Sequence, residues 1–343
     1  MTAVNELLSI CIPTRNRAKF LQECLEAFLP LVTPHQIPIC VSDNASEDNT
    51  IEMLEEFQRA RYPFLSFRRN PQNYAIDQNM ADVLAMASTQ YGWLFGDDDL
   101  LRPDAIEKVL ACVRGGYKLV VVNASTHTAD YARQVEERRI KLHEDQIYPA
   151  GDHERLLADT ANYVTFLGGL VVDLAGWRSV DHTEFLGTDY LHVSVVYRYI
   201  VGKPAMLCAD PLIRLRLQPP TWFARYFEIE MIKWPRTVWG LPREHYSDAA
   251  KRRVCDEQPI TRLRRIVSMR GYGHYDRTAW ERHVGPDPAI PGWKKRLFRT
   301  VAALPEAWFR AAFIAYIRTR RLWDPSRYEL ALFRLQEASN KWR

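Results

Sequence analysis

"YGWLFGDDDLLRP", residues 91–103, runs from an aromatic and aliphatic stretch through one glycine into three consecutive aspartates. The apolar part reads as a buried strand. Three adjacent carboxylates repel one another, and each costs desolvation where it is partly buried. The pattern therefore predicts positive charge facing Asp97, Asp98 and Asp99, and it marks the carboxyl end of this strand as a ligand edge.

The same alternation extends outward through the first 125 residues. Apolar strand-like runs at 7–13, 37–44, 64–70, 91–95 and 117–125 are separated by segments of helical period. Leu21, Cys24, Leu25, Phe28 and Val32 share one helical face. Ile51, Leu54 and Phe57 share another, with Ser46 as a candidate N-cap, and Ile76, Met80, Val83, Leu84 and Ala87 a third. Pro103 suits the first turn of a fourth helix, with Ile106, Val109, Leu110 and Val113 inward. Strand and helix alternating in this way predict an α/β fold with a doubly wound, mostly parallel sheet. Residues 126–160 are charged and read as a loop excursion. Residues 166–177 read as a further strand, 187–202 as a helix and 204–218 as a strand. From about 220 the chain is rich in Trp, Arg and Pro and reads as helical. The expected domains are 1–220 and a mainly helical 221–343.

Composition is that of an ordinary globular protein, with 47% apolar and 26% charged residues in 343. Charge is uneven. Residues 1–110 hold 9 Lys and Arg against 16 Asp and Glu, whereas residues 293–343 hold 12 against 4. An acidic first part attracts cations, and a basic tail attracts phosphate or an anionic membrane face. Six scattered cysteines without a CxxC pair fit reduced, buried thiols. The opening residues lack a signal-peptide pattern and no apolar run is long enough to span a bilayer, so the expected location is cytoplasmic.

In a doubly wound sheet, ligands bind outside the carboxyl ends of the strands. The residues there are Thr14, Arg15 and Asn16, then Asp43 and Asn44, then Asn70 to Asn73, then Asp97 to Asp99. All are polar, and none forms a glycine-rich phosphate loop, which argues against a dinucleotide oxidoreductase or a P-loop enzyme. Paired carboxylates at such an edge can hold Mg²⁺ or Mn²⁺, hard cations that keep positions open for phosphate oxygens. Asp43 can equally close an Asx-turn in "SDNAS".

"LLSICIPTRNRAKFLQECL", "ICVSDNASEDNT", "RRNPQNYAIDQNMADVLAMA" and "YGWLFGDDDLLRPDAIEKV" resemble, in order, the successive motifs of family 2 glycosyltransferases of GT-A fold. Within that family the "GDDDLL" and "IDQN" forms are most similar to abequosyltransferase-like O-antigen sugar transferases. The resemblance implies a metal-dependent, inverting glycosyltransferase with a nucleoside-diphosphate sugar donor, a saccharide acceptor and Mn²⁺ or Mg²⁺. It places Pro13, Thr14, Asn16, Asp43, Asn73, Asn79 and Asp98 around the nucleotide, and Asp99 with Asp97 at the metal. Gly96 stands where the family's first aspartate is common, Tyr74 and Ala75 replace a usual glycine, and Asn44 stands where a second aspartate is frequent.

Inversion requires a general base for the acceptor hydroxyl. The matching family position is Asp189, with Thr188 in place of a glutamate and Glu184 in reserve. Helical spacing puts Asp189 and His192 on one inward face, so Asp189 is either the base or a helix N-terminal acid. His192 is either a phosphate or metal contact or an interior histidine. Arg214 and Arg216 either clamp a diphosphate or lie on a strand surface. In the tail, Trp308, Phe309, Ala312, Phe313, Tyr316 and Ile317 share a helical face, with Arg310, Arg318 and Arg321 opposite. That helix either meets an anionic membrane carrying a lipid-linked acceptor or docks on its own domain. Nothing matches a nucleic-acid-binding motif. The competing functions are a sugar nucleotidyltransferase, whose glycine-rich lysine-containing signature "PTRNRAKF" lacks, and a nucleotide-sugar-binding protein with a vestigial site.

Overall fold

Strand β1 (Leu8–Thr14) is buried at all seven positions, which requires cover on both faces of the sheet. The computed structural model describes residues 4–218 and 221–320. Of these, residues within Met1–Leu217 and Gly240–Val254 form one compact unit, and residues within Gln218–Trp239 and Cys255–Arg343 form a second.

In the first unit, β1 is followed by α1 (Ala18–Val32), β2 (Ile39–Asp43), α2 (Thr50–Ala60), β3 (Leu65–Arg69), α3 (Ile76–Met86) and β4 (Tyr91–Leu94). The short β5 (Leu100–Leu101), α4 (Ala105–Arg114), β6 (Leu119–His127), β7 (Gln134–Glu136), β8 (Gln146–Tyr148) and α5 (His153–Thr160) come next. The unit continues with β9 (Leu170–Asp173), α6 (Leu174–Arg178), α7 (Leu191–Tyr199) and β10 (Ala205–Arg216). The sheet order is β3-β2-β1-β4-β9-β6-β10-β5, with β7 beside β6 and β8 beside β10. The pairs β1–β2, β2–β3, β1–β4 and β6–β10 are parallel; β9, β5, β7 and β8 run antiparallel to their partners. The expected α/β class is observed, as a mixed and mostly parallel sheet.

The inward faces of α1 and α4 are those read from the sequence, with Leu21, Cys24, Leu25, Phe28, Ile106, Val109 and Leu110 in one core. Other expectations need correction. Ser46 is not an N-cap: α2 begins at Thr50 after Asn49, and Ser46 serves Asp43 instead. Ile76 is 40% exposed at the start of α3. Only Leu170–Asp173 of 166–177 is strand, because Asp173 accepts the Gly176 N–H at 2.8 Å and starts a helical turn. The 126–160 excursion carries β7, β8 and α5, and β6 continues into it as far as His127. All six cysteines are buried thiols.

The second unit packs Phe227, Met231, Ile266, Met269, Tyr275 and Phe298 into its own core. Its helices include Leu263–Gly271, Gly292–Ala303 and Glu306–Arg320. The expected apolar face of the last helix is divided. Ile317 is buried and the Phe313 ring meets Tyr272 at 4.5 Å, whereas Trp308 and Tyr316 are 65% and 54% exposed. Arg321 lies outside the described residues. No helix among the described residues is long and apolar enough to cross a membrane.

Close approach of α3 and α6 to the central strand depends on Gly92. A Cβ there would stand 2.7 Å from Leu84 Cδ2 and 3.2 Å from Leu174 Cδ2. Gly92→Ala is therefore expected to destabilise the first unit by about 1–3 kcal/mol through overpacking, read as a lower urea midpoint.

Candidate active site

The polar turns after β1, β2, β3 and β4 meet at one edge of the sheet. Parallel register brings Thr14 beside Asp43 and Asp43 beside Arg69. Asn16 adopts φ +53°, a left-handed conformation that asparagine tolerates. From there its N–H reaches Ser46 Oγ at 2.8 Å, and its Oδ1 accepts the Glu47 N–H at 2.7 Å. The first two turns are thus stitched together. Pro13 is a buried strand residue opposite Ser42.

Asp43 is fully buried and accepts the Ser46 N–H at 3.1 Å and the Ser46 hydroxyl, with Arg69 Nε 3.7 Å away. The carboxylate thus closes the turn onto the third residue on, one further than an Asx-turn. The floor beneath is a set of amides. Asn79 Nδ2 donates to the Ser42 carbonyl at 3.1 Å, and Asn70 Nδ2 to Asn79 Oδ1 at 3.2 Å. Asn44 Nδ2 donates to Asn73 Oδ1 at 3.1 Å and to the Tyr74 carbonyl at 2.8 Å, and its Oδ1 accepts the Tyr74 N–H.

The acidic triplet is a connection between β4 and β5, and the protein supplies part of the positive charge it needs. Thr14 Oγ1 donates to Asp97 Oδ2 at 2.7 Å. Arg17 Nε lies 2.8 Å from Asp97 Oδ1 without hydrogen-bond alignment, and its Nη2 pairs with Asp98 Oδ2. The Arg216 backbone N–H donates to Asp99 Oδ1 at 2.9 Å. Its guanidinium donates to the carbonyls of Asp98 and Ala129, each at 3.0 Å, and to Glu23 at 2.8 Å. Tyr131, at φ +58°, donates its hydroxyl to the Asp98 carbonyl at 2.9 Å. Its ring lies under Arg216 at 4.7 Å and Arg214 at 5.1 Å. Arg17, Glu23 and Tyr131 carry this arrangement and are absent from the sequence-based set. The "TRNR" turn could have drawn attention to Arg17; nothing local marks Tyr131.

These contacts do not balance the charge. Burial pushes Asp97 up to about 6 against the opposing pull of Arg17 and Thr14. Burial and the Asp98 charge hold Asp99 well above the usual carboxylate range, partly offset by the Arg216 N–H. Gly96 answers a spatial need: a Cβ there would stand 3.1 Å from Asp99 Oδ2 and 3.3 Å from Asp98 Oδ1. The oxygens not engaged by Arg216 and Arg17 therefore lie on that side. Among the described residues no three His, Cys, Asp or Glu side chains already converge at metal-ligand geometry. The chemistry fits a hard divalent ion nonetheless, with buried Asp99 beside part-buried Asp98, excess negative charge and room left by glycine. Asp98 and Asp99 would hold it, whereas both Asp97 oxygens face Thr14 and Arg17.

Asp189 does not lie on the helical face read from the sequence. Helix α7 starts at Leu191, after Tyr190, and Asp189 precedes it at φ +62°. Its turn is anchored by Asp77, a fully buried acid at the start of α3 that accepts the N–H groups of Asp189 at 2.9 Å and Leu191 at 3.1 Å. Asp77 is a second residue the sequence reading missed. Glu184 is exposed in a separate turn. His192 is 2% exposed, and burial lowers its pKa to about 4 against the opposing effect of the Val164 and Thr165 backbone. It is a neutral interior histidine.

Asp99→Asn tests the uncompensated charge. Below the unfolded carboxylate pKa of about 4 both states are protonated, so the raised folded pKa costs nothing. Above it, the folded state retains the proton more strongly and the ionisation penalty grows with pH. The variant is expected to melt higher than the parent at pH 7.5 in chelator, with the gain vanishing towards pH 4.

Residues 9–169 match the model for glycosyl transferase family 2. Abequosyltransferase RfbV of Salmonella typhimurium is 28% identical over 221 residues, 59% of this chain and 66% of that protein. Chondroitin synthase of Escherichia coli is 29% identical over 124 residues, 36% of this chain and 18% of the synthase. The chain thus spans about two thirds of the first relative's length and under a fifth of the second's. S. aureus TarS 1–349 in complex with UDP-GlcNAc is similar in structure, with a TM-score of 0.59 at 13% identity over 98% of this chain and 92% of that one. The mannosyltransferase PcManGT from Pyrobaculum calidifontis, in complex with GDP-Man and Mn²⁺, gives 0.53 at 14% identity over 99% and 87%. At such identities the structural likeness speaks to fold. The motifs that suggested a family are the ones that this sheet edge gathers: residues 9–169, just under half of the chain, match glycosyl transferase family 2, and the fold is of the GT-A type.

Proposed function

We propose that the chain moves a sugar from a nucleoside-diphosphate sugar to a saccharide acceptor, inverting the anomeric centre, in the synthesis of a surface polysaccharide such as O-antigen or capsule. The meeting of the turn after β1 and the end of β10 on Asp97–Asp99 carries this reading, since it builds a cation-seeking pocket edge where a doubly wound sheet takes its ligand. The complexes of TarS with UDP-GlcNAc and of PcManGT with GDP-Man support a donor of this class.

In this reading Pro13, Thr14, Asn16 and Asp43 border the nucleotide, Asn73 and Asn79 form the floor beneath it, and Asp98 and Asp99 hold Mn²⁺ or Mg²⁺. When bound, that ion neutralises charge on the departing diphosphate. Asp189 takes the proton from the acceptor hydroxyl. The acceptor oxygen bonds to the anomeric carbon as the carbon–oxygen bond to the diphosphate breaks, and that electron pair leaves with the phosphate. Asp77 orients this base by holding the backbone on both sides of Tyr190. Arg216 holds the acidic turn rather than the diphosphate, because its guanidinium is committed to Glu23 and two carbonyls.

A screen of UDP-, GDP-, CDP- and dTDP-sugars with Mn²⁺ or chelator should show one nucleoside diphosphate released in a metal-dependent way. Donor binding without release would favour a vestigial site, and pyrophosphate release from a nucleoside triphosphate would favour a nucleotidyltransferase. Asp189→Asn is expected to lower kcat about 10²–10⁴-fold with donor Kd unchanged. Full activity would remove Asp189 as the base.

Membrane contact is a second element of the proposal, resting on the second unit. Trp293, Trp308 and Tyr316 are 59%, 65% and 54% exposed, and Lys294, Lys295, Arg296 and Arg299 follow Trp293 on one helix. Aromatic residues beside basic ones suit the interface of an anionic bilayer carrying a lipid-linked acceptor. The full chain should float with vesicles containing 30% phosphatidylglycerol, as an on-the-order choice of surface charge. Replacing Trp293 and Trp308 together with serine should abolish flotation, while failure of the parent to float would end this element.

A further inference from the structure

Arg17 reaches the acidic turn from the residue just before α1, and it contacts two of its three acids. The guanidinium lies 4.7 Å from the Phe20 ring centroid and its side chain is 20% exposed. It is therefore held at the site. The Arg216 guanidinium hydrogen-bonds none of the three carboxylates. The Arg216 backbone N–H faces Asp99, while the guanidinium meets Glu23 and main-chain carbonyls. Arg17 thus occupies one side of Asp98, and Asp98 Oδ1 and Asp99 Oδ2 both face the space beside Gly96.

A fixed positive charge beside a cation site weakens cation binding and strengthens anion binding, and both effects are large where water is excluded. We propose that Arg17 is the resident counter-ion of the acidic turn, opposing a divalent ion at Asp98 and Asp99 while attracting the donor diphosphate, so that cation and diphosphate enter the site together. This rests on the divalent-ion reading of Asp98 and Asp99 above. The opposite signs distinguish it from a structural role. An arginine that merely held the turn in shape would, on removal, weaken cation and anion binding alike.

The test uses the full chain stripped with chelator, titrated separately with Mn²⁺ alone (followed by electron paramagnetic resonance) and with inorganic pyrophosphate alone (followed calorimetrically). Arg17→Gln and Arg17→Met, the latter keeping an apolar stem against Phe20, should bind Mn²⁺ about tenfold more tightly than the parent and pyrophosphate about tenfold more weakly. Arg17→Lys, which keeps the charge, should stay within about threefold of the parent for Mn²⁺. Circular dichroism identifies which neutral variant keeps the parent fold, and one suffices. Unchanged or weaker Mn²⁺ binding in that variant, with the parent binding Mn²⁺, overturns the role of Arg17 and leaves the metal reading intact. No Mn²⁺ binding by parent or variants, with or without pyrophosphate, overturns both.

Discussion

Three adjacent carboxylates, two of them almost wholly buried, are the constraint around which this sheet edge is organised. Their mutual repulsion and desolvation must be met, and the contacts that meet them come from widely separated parts of the chain. Thr14 and Arg17 arrive from the end of the first strand, Tyr131 from the excursion after the sixth and Arg216 from the end of the tenth. The short β5 gives the turn its exit, pairing Leu100 and Leu101 with Arg214 and Ile213. The turn is consequently a crossing point of the first unit as well as its chemical centre.

Full internal compensation would leave the carboxylates content without a ligand. Instead Asp97 and Asp99 remain shifted towards the protonated form, so a favourable interaction with an incoming cation is held in reserve. Asp43 and the asparagine floor are different. Their hydrogen-bonding groups are answered by neighbours in the adjacent turns, so they form a stiff frame beside an electrostatically unsettled turn. A rigid frame around unbalanced charge is the arrangement expected where charge must be received on binding.

Legibility in the sequence followed the range of the interaction. The strands, the inner faces of α1 and α4 and the polar character of the turns were readable because hydrophobic period is a local signal. Ser46 was misread because a serine before a helix serves equally as an N-cap or as a partner for an upstream carboxylate, and only the neighbouring Asp43 decides. The helical placement of Asp189 failed because its left-handed backbone is imposed by Asp77, 112 residues earlier. Tyr131 was invisible for the same reason, since its role exists only once the turn after β4 and the end of β10 meet. The single amphipathic stripe of residues 308–317 divided because periodicity defines a face without saying how much of it a neighbour covers.

The bond from the Arg216 N–H to Asp99 closes a separation of 117 residues, and the Arg216 ion pair with Glu23 closes 193. Loop closure over such spans is entropically costly and late-forming. As the chain leaves the ribosome, the first four strands can pair while Asp97–Asp99 are still hydrated and harmless. Only when β10 slots between β6 and β5 is the acidic turn drawn from water. The chain therefore assumes the electrostatic burden of its site last, after the scaffold able to bear it has been built.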